Sequence, residues 1–539
     1  MKTAINELGT NRGQKSIWTT RMLLLGLALV MMPARGFAQG APSGRQFYVD
    51  SVNGRDDQSG ERPEAAWKTL TRVNATVFRP GDRIFLKRGS VWHGQLWPKG
   101  SGSEGSPIVL TSYGRGGRPR IEGAGLTEDA VLLKNQEYWE ISDLEVTNAG
   151  TGNAVRRGVH VTVDNFGEAH HIYLRSLNVH DVNGTDSVKE NGGIIYTCKG
   201  DSKPSRFVDL RIEGNHLTRV DRNGIMGWST HWSRDRWYPS LQVVIAGNTL
   251  DDIGGDGIVA VATDGALVEK NVVGHANQRS KGNNVAIWAW SADNTIIQHN
   301  EAFATRGKHD SEGFDSDWNS RNTIIQYNYS HDNEGGFVLI CNDGSVGPEY
   351  NIGNAGTIVR YNISRNDHSK IINFAGPTSN TAVYNNTVYL GAAEKGSLLV
   401  HSDWSGWASD STFRNNIFYS AGHFEFASSL FITDRDLYQY TPGFGGSAGN
   451  SFDSNVYFGM KPPEDAHALT TDPLLIAPAE DKKGKNNFAG FGLKRHSPAI
   501  DSGREIPGNG GKDFLGNTVP ACGATDRGAI ETKSCGHSK

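Results

Sequence analysis

Residues 295–304 read TIIQHNEAFA, residues 323–333 read TIIQYNYSHDN, and residues 357–367 read TIVRYNISRND. In each stretch a short alternation of apolar and polar residues ends at an Asn, where a second short apolar run begins. Alternation with period two marks a strand with one buried face. The phrase recurs around Asn215, Asn248, Asn271, Asn300, Asn328, Asn362, Asn386, Asn416 and Asn455, at intervals of 23 to 39 residues with a mean of 30. Residues 138–150 (YWEISDLEVTNAG) and 171–184 (HIYLRSLNVHDVNG) look like the same unit without the Asn.

A period of this size, carried by short strands and with no helical stripe, means stacked repeats. The L-x-x-L-x-L pattern of leucine-rich repeats is missing, and so is the repeated aromatic signature of propeller blades. A parallel β-helix fits. Each coil would hold two or three short strands, and successive coils would stack about 4.8 Å apart. About 11–12 coils are expected. The Asn would take a tight bend and bond its counterparts in the coils above and below.

Composition agrees. The 539 residues include 66 Gly and 41 Asn, the two residues that most readily enter left-handed backbone conformations, so turns should be many and long helices few. Helical bundles and collagen are excluded, the latter because Gly has no period of three.

Residues 1–38 read as a secretory signal. Lys2, Arg12, Lys15 and Arg21 precede the apolar run 22–32 (MLLLGLALVMM), and small residues Gly36 and Ala38 offer a cleavage site. The run is too short to span a bilayer. Without this segment the chain has 49 basic and 57 acidic residues, a net charge of −8. Such a chain has no general attraction for nucleic acid or anionic lipid. A secreted or periplasmic location, no membrane span after cleavage and a monomeric state are expected. That location also permits a disulfide between Cys522 and Cys535, whereas Cys198 and Cys341 end apolar runs and read as buried thiols.

Ahead of the repeats, FYVDSVNGRDDQSG (47–60), the short amphipathic stretch AAWKTLTRVN (65–74) and RPGDRIFLKRG (79–89) read as an N-terminal cap within 39–105. The repeats run over 106–460. A covering segment, 461–539, carries SPAIDSG, DFLGN and DRGAIE. With these motifs and the TIIQYNYSHDNEGG coil, the chain resembles secreted bacterial right-handed parallel β-helix proteins of the pectate-lyase-like superfamily, which are carbohydrate-active. The resemblance spans nearly the whole mature chain. It implies an all-β, right-handed parallel β-helix and leaves the reaction open between glycoside hydrolysis and polysaccharide lysis.

The coils align on the first strand after each loop. That alignment places Ile225, Ile258, Val285, Phe314, Phe337 and Ile371 inward. Met226, Val259, Ala286, Asp315, Val338 and Ile372 face outward, as do Trp228, Val261, Trp288, Asp317, Ile340 and Phe374. Asp315 and Asp317 then share an outer face among apolar neighbours, where like charge raises one carboxyl and creates an acid beside a base. Asp256, in GGDGIVAV, is a third candidate catalytic residue. Trp288 and Trp290, alternating with Ile287 and Ala289, point outward with Trp228 as exposed platforms for sugar. The loop 306–312 (RGKHDSE) adds Arg306, Lys308 and His309 as substrate-binding candidates, and Asp310 and Glu312 as metal ligands. Arg222, His331 and Glu334 complete the substrate-binding set.

The expected function is a secreted glycoside hydrolase that cleaves a polysaccharide or oligosaccharide with an Asp pair and needs no cofactor. The first alternative is a Ca²⁺-dependent lyase of uronate polymers, in which the acids hold the cation and Lys308 or Arg306 takes the proton. The second is a non-catalytic glycan-binding solenoid, in which the tryptophans carry the affinity.

Overall fold

The computed structural model describes residues 44–307, 309–434, 437–479 and 488–533. The signal segment, Lys308 and Cys535 lie outside the described residues. The chain is an all-β, right-handed parallel β-helix. Its coils stack into a 13-stranded parallel sheet on one face, and into ladders joined as a 30-stranded sheet on the others. Every strand-to-strand pairing in the described residues is parallel except one, the hairpin of His423–Asp434 with Leu437–Pro442.

Period-two alternation builds the core. Val268, Ile297, Ile325, Val359, Val383 and Phe413 sit directly above one another in consecutive coils and are fully or almost fully buried. Each such side chain contributes about 1.5–3 kcal/mol through burial. The Asn column behaves as its spacing implies. The Nδ2 of Asn215, Asn248, Asn271, Asn300, Asn328, Asn362, Asn386 and Asn416 donates to Oδ1 of the next Asn at 2.9–3.0 Å. The same Oδ1 accepts the backbone N–H of the Asn before it, at 2.9 Å between Asn328 and Asn362. The bend itself falls one residue earlier than expected: Gly214, Gly247, Lys270, His299, Tyr327 and Tyr361, each just before a ladder Asn, have φ of 50–64°. The Asn ties the turn, and its predecessor makes it.

The face that carries the site has two columns. Ile258, Ile287, Phe314, Val338, Ile372 and Leu399 stack inward. Val259, Trp288, Asp315, Leu339, Asn373 and Val400 stack outward. This corrects the alignment made from sequence. Val338, Ile340, Ile372, Phe374 and Ala286 lie in the core and not on the outer face, and Val285 packs outside. The corners before these strands differ in length, so aligning on the first Gly or Asn slips some strands by one residue. A slip of one exchanges the two faces. Asp315 and Asp317 keep their outer placement because Phe314 is a true core residue.

At the N-terminal end Gln46–Val49 pairs with Arg83–Lys87, which pairs with Ile108–Tyr113, so the ladder already includes the segment read as the cap. A helix, Leu70–Asn74, is capped by Thr69, whose hydroxyl accepts from the N–H of Arg72. At the C-terminal end residues 488–533 lie along the 13-stranded sheet. There Ile363, Ile417 and Val456 pack with Phe491, Ala529 and Ile530, and Arg527 donates to the Asn455 carbonyl at 3.0 Å. No helix among the described residues is long and apolar enough to cross a membrane.

Candidate active site

The strand Glu312–Ser316 pairs with Ile287–Asp293 on one side and Gly336–Cys341 on the other. One step beyond the pair Ser316 and Ile340, Asp317 stands beside Cys341. The carboxylates of Asp315 and Asp317 and the Cys341 sulfur offer atoms within 4.8 Å of one another. Cys341 Sγ donates to Asp317 Oδ1 at 2.8 Å and lies 4.0 Å from Asp315 Oδ1. The backbone N–H of Trp318 donates to the same Asp317 oxygen at 2.7 Å. All three side chains open onto a cavity of about 470 Å³, which Asp310, Lys189 and Lys370 also line. That volume is within the range of small-ligand sites. Trp288, Trp318 and Trp404 supply aromatic wall.

The carboxylates are unequal. Asp315 is 3 % exposed. Burial, then the charges of Asp317, Asp310 and Glu312, hold its carboxyl well above the ordinary range. Asp310 is half-buried; burial and the Glu312 charge push it up to about 7, against the pull of Lys370. Asp317, also half-buried, is pushed up by burial only to about 6, because the Cys341 thiol, the Trp318 N–H and the nearby Lys189 favour its ionised form. Near neutrality Asp317 is the carboxylate of this cluster that ionises most readily.

Behind the wall sits a polar scaffold. Asp256 is fully buried and does not line the cavity. Its Oδ1 accepts from the Trp288 indole at 3.0 Å and from the Val285 N–H at 3.1 Å, while Oδ2 lies 3.5 Å from Lys189 and 3.6 Å from Arg222. It therefore orients Trp288 from behind the cavity wall. Arg222 is buried too, bonded to Asn284 and Asn223. Glu312, read from sequence as a metal ligand, is paired with Lys370 at 3.4 Å and accepts from Asn373 at 3.1 Å.

The tryptophans divide. Trp288 lines the cavity although it is only 6 % exposed. Trp290, expected to be exposed, is 8 % exposed. It is enclosed by Trp228, Trp232 and Trp318, with ring centroids 5.1–5.5 Å away. The segment 230–237 folds over this face, so Trp290 and Trp228 buttress the wall and are not open sugar platforms. Arg306 and His309 line neither this cavity nor the smaller one beside it. Arg306 pairs with Glu334 at 3.3 Å. His331 lies on the 13-stranded sheet, away from the cavity; burial works to lower its pKa, but Asp332 and Glu301 outweigh it and raise it to about 9.

Lys189, Lys370, Cys341, Trp318 and Trp404 were missed from sequence. Cys341 carried a readable signal, since pairing FVLIC with GFDSD through their Phe and Val core residues sets it beside Asp317. The lysines and Trp404 come from coils and loops far apart in the chain, and no periodicity points to them.

A parallel β-helix whose outer face carries buried carboxylates in an aromatic-walled cavity is an architecture of carbohydrate-active proteins, and known proteins of this kind are similar to the chain. It is 27% identical over 657 aligned positions to a lacto-N-biosidase of Bifidobacterium longum, covering 97% of this chain and 39% of the relative. The chain thus spans about two fifths of the length of that curated relative. A crystal structure of a GH136 lacto-N-biosidase from Eubacterium ramulus, as its selenomethionine derivative, superposes with a TM-score of 0.59 at 25% identity, over 79% of this chain and 68% of that one. The native form of the same enzyme gives 0.57 at 24% and matches in fold. No family model matches the chain.

Proposed function

We propose that the chain is a glycoside hydrolase that cleaves an oligosaccharide, with Asp317 as the ionised carboxylate and Asp310 as the proton donor. The observation that carries this is the convergence of carboxyl groups with distinct ionisation on one aromatic-walled cavity. Glycoside hydrolysis needs one carboxylic acid to protonate the leaving oxygen and one carboxylate to attack the anomeric carbon or to activate water. Asp310 holds its proton near neutrality and opens onto the cavity. Asp317 is stabilised as an anion by two donors and faces the same space. Asp315, read from sequence as half of the catalytic pair, is too buried and too crowded by like charge to ionise. It stands behind the Asp317–Cys341 pair, 4.0 Å from the Cys341 sulfur.

The shape supports a short substrate rather than a threaded polymer. Leu430 of the hairpin, Asp403 and Trp404 line the cavity on the C-terminal side of the face, and Trp288 with Lys189 lines it on the other. The similarity to lacto-N-biosidases supports a lacto-N-bioside as the sugar. The reading needs no cofactor. Ca²⁺ takes hard oxygen ligands; the densest group here includes a thiol, and Glu312 is already matched by Lys370. Secretion and a monomeric state are part of the same proposal.

The test is turnover of a panel of oligosaccharides and uronate polymers, lacto-N-biosides included, scored for new reducing ends and for unsaturated product. Reducing ends alone, lost in Asp317→Asn and Asp310→Asn variants that melt like the parent, are expected. Unsaturated product, or full activity in both variants, would refute the assignment.

A further inference from the structure

Beside the cavity described above lies a second of about 110 Å³. The two share Asp310, Lys370 and Leu430. Asp317, Cys341 and the tryptophans face only the larger one, whereas Glu334, Ser369 and Tyr440 face only the smaller. Asp310 therefore stands at the junction.

A general acid must reach the oxygen that joins the sugar under attack to the group that departs. When that C–O bond breaks, the bonding pair stays on this oxygen and the acid's proton goes to it. The two halves of the substrate must then lie on opposite sides of the acid. Asp317 assigns the larger cavity to the sugar under attack, which leaves the smaller one for the departing group. We propose that Glu334, Ser369 and Tyr440 form a leaving-group subsite that binds one neutral sugar residue; this rests on the roles given to Asp310 and Asp317 above.

The lining suits such a ligand. Glu334 is held by Arg306 at 3.3 Å and by the Gly307 N–H at 2.9 Å, which presents an oriented acceptor for sugar hydroxyls. Ser369, with φ of 62°, lines the cavity. Tyr440 is 48 % exposed, on the strand Leu437–Pro442 of the antiparallel hairpin. A free aromatic face packs against the C–H groups of a pyranose. Lys370, which lines this cavity, and Arg306, which holds Glu334, are each paired with a carboxylate, which favours a neutral sugar over an anionic one. The volume leaves room for no more than one sugar residue.

The experiment compares two probes on the intact chain: lacto-N-biosyl fluoride, whose leaving group fills no subsite, and a lacto-N-bioside of a neutral monosaccharide. In Tyr440→Ala and Glu334→Gln the ratio of kcat/KM for the bioside to that for the fluoride should fall tenfold or more, chiefly through KM. Tyr440→Phe should keep the ratio. A ratio within twofold of the parent in both variants would overturn the subsite. Asp310→Asn separates that failure from failure of the underlying reading: it should lose far more on the bioside than on the fluoride. Equal losses would mean that Asp310 is not the acid, and a parent that cleaves neither probe would refute the functional reading and the subsite with it.

Discussion

Removing the Cys341 thiol should move the acidic limb of the pH–activity profile upward. Cys341 is buried and free, and it donates to Asp317 Oδ1 at 2.8 Å. A hydrogen bond to a charged group is worth roughly 1.5–3 kcal/mol. Losing it in Cys341→Ala disfavours ionised Asp317, so its pKa rises, by about 1–2 units at 1.36 kcal/mol per unit. Asp317 starts at about 6 and Asp310 at about 7. Activity needs the first ionised and the second protonated, so the parent profile is a bell, falling below pH 6 and above pH 7. With the Asp317 pKa brought up to or past that of Asp310, the optimum moves up by about half to one unit and the peak falls roughly two- to tenfold. Cys341→Ser keeps a donor and should restore most of both. The assay is kcat/KM against pH, on proteins whose melting curves show them folded. An Ala variant that loses activity with both limbs unmoved, or a Ser variant indistinguishable from Ala, would refute the reasoning.

Four further outcomes are expected. Asn328→Ala should destabilise the fold by about 2 kcal/mol or more, seen as a lower urea midpoint, because it leaves the buried N–H groups of Asn300 without their Oδ1 acceptor. Lys370→Met should cost about 3–5 kcal/mol by leaving buried Glu312 without its cation, and should move the basic limb upward because Asp310 loses a charge that favours its ionised form. Trp290→Ala should lower stability by about 3–5 kcal/mol, measured by calorimetry, since its ring sits among three other indoles; Trp404→Ala should chiefly raise KM, because that ring lines the cavity.

The fold was legible because the physics of a coil demands the same residue at the same place each time. A buried Asn that accepts from the coil before it and donates to its own counterpart in the next calls for the same residue one coil on, so from Asn215 to Asn455 the ladder prints itself in the sequence. The site obeys no such repetition. Which side chains face outward depends on the length of each corner, and one residue of difference exchanged Val338 for Leu339 and Ile372 for Asn373. The Asp pair survived that uncertainty because Phe314 fixes its own strand. The walls of the cavity come from a loop at Lys189, the strand of Lys370 and a turn at Trp404, brought together only when the coils stack. The division of labour among the acids was the least legible part. In HDSEGFDSD the carboxylates look alike, and Asp315 with Asp317 is the natural pair by spacing. All three Asp line the cavity, but stacking buries Asp315 to 3 % exposure and leaves Asp310 and Asp317 half-buried, with a thiol from the next coil acting on Asp317 and a lysine from two coils on acting on Asp310. The acid and the base are therefore distinguished by what neighbouring coils bring to them, and the local sequence holds only their candidates.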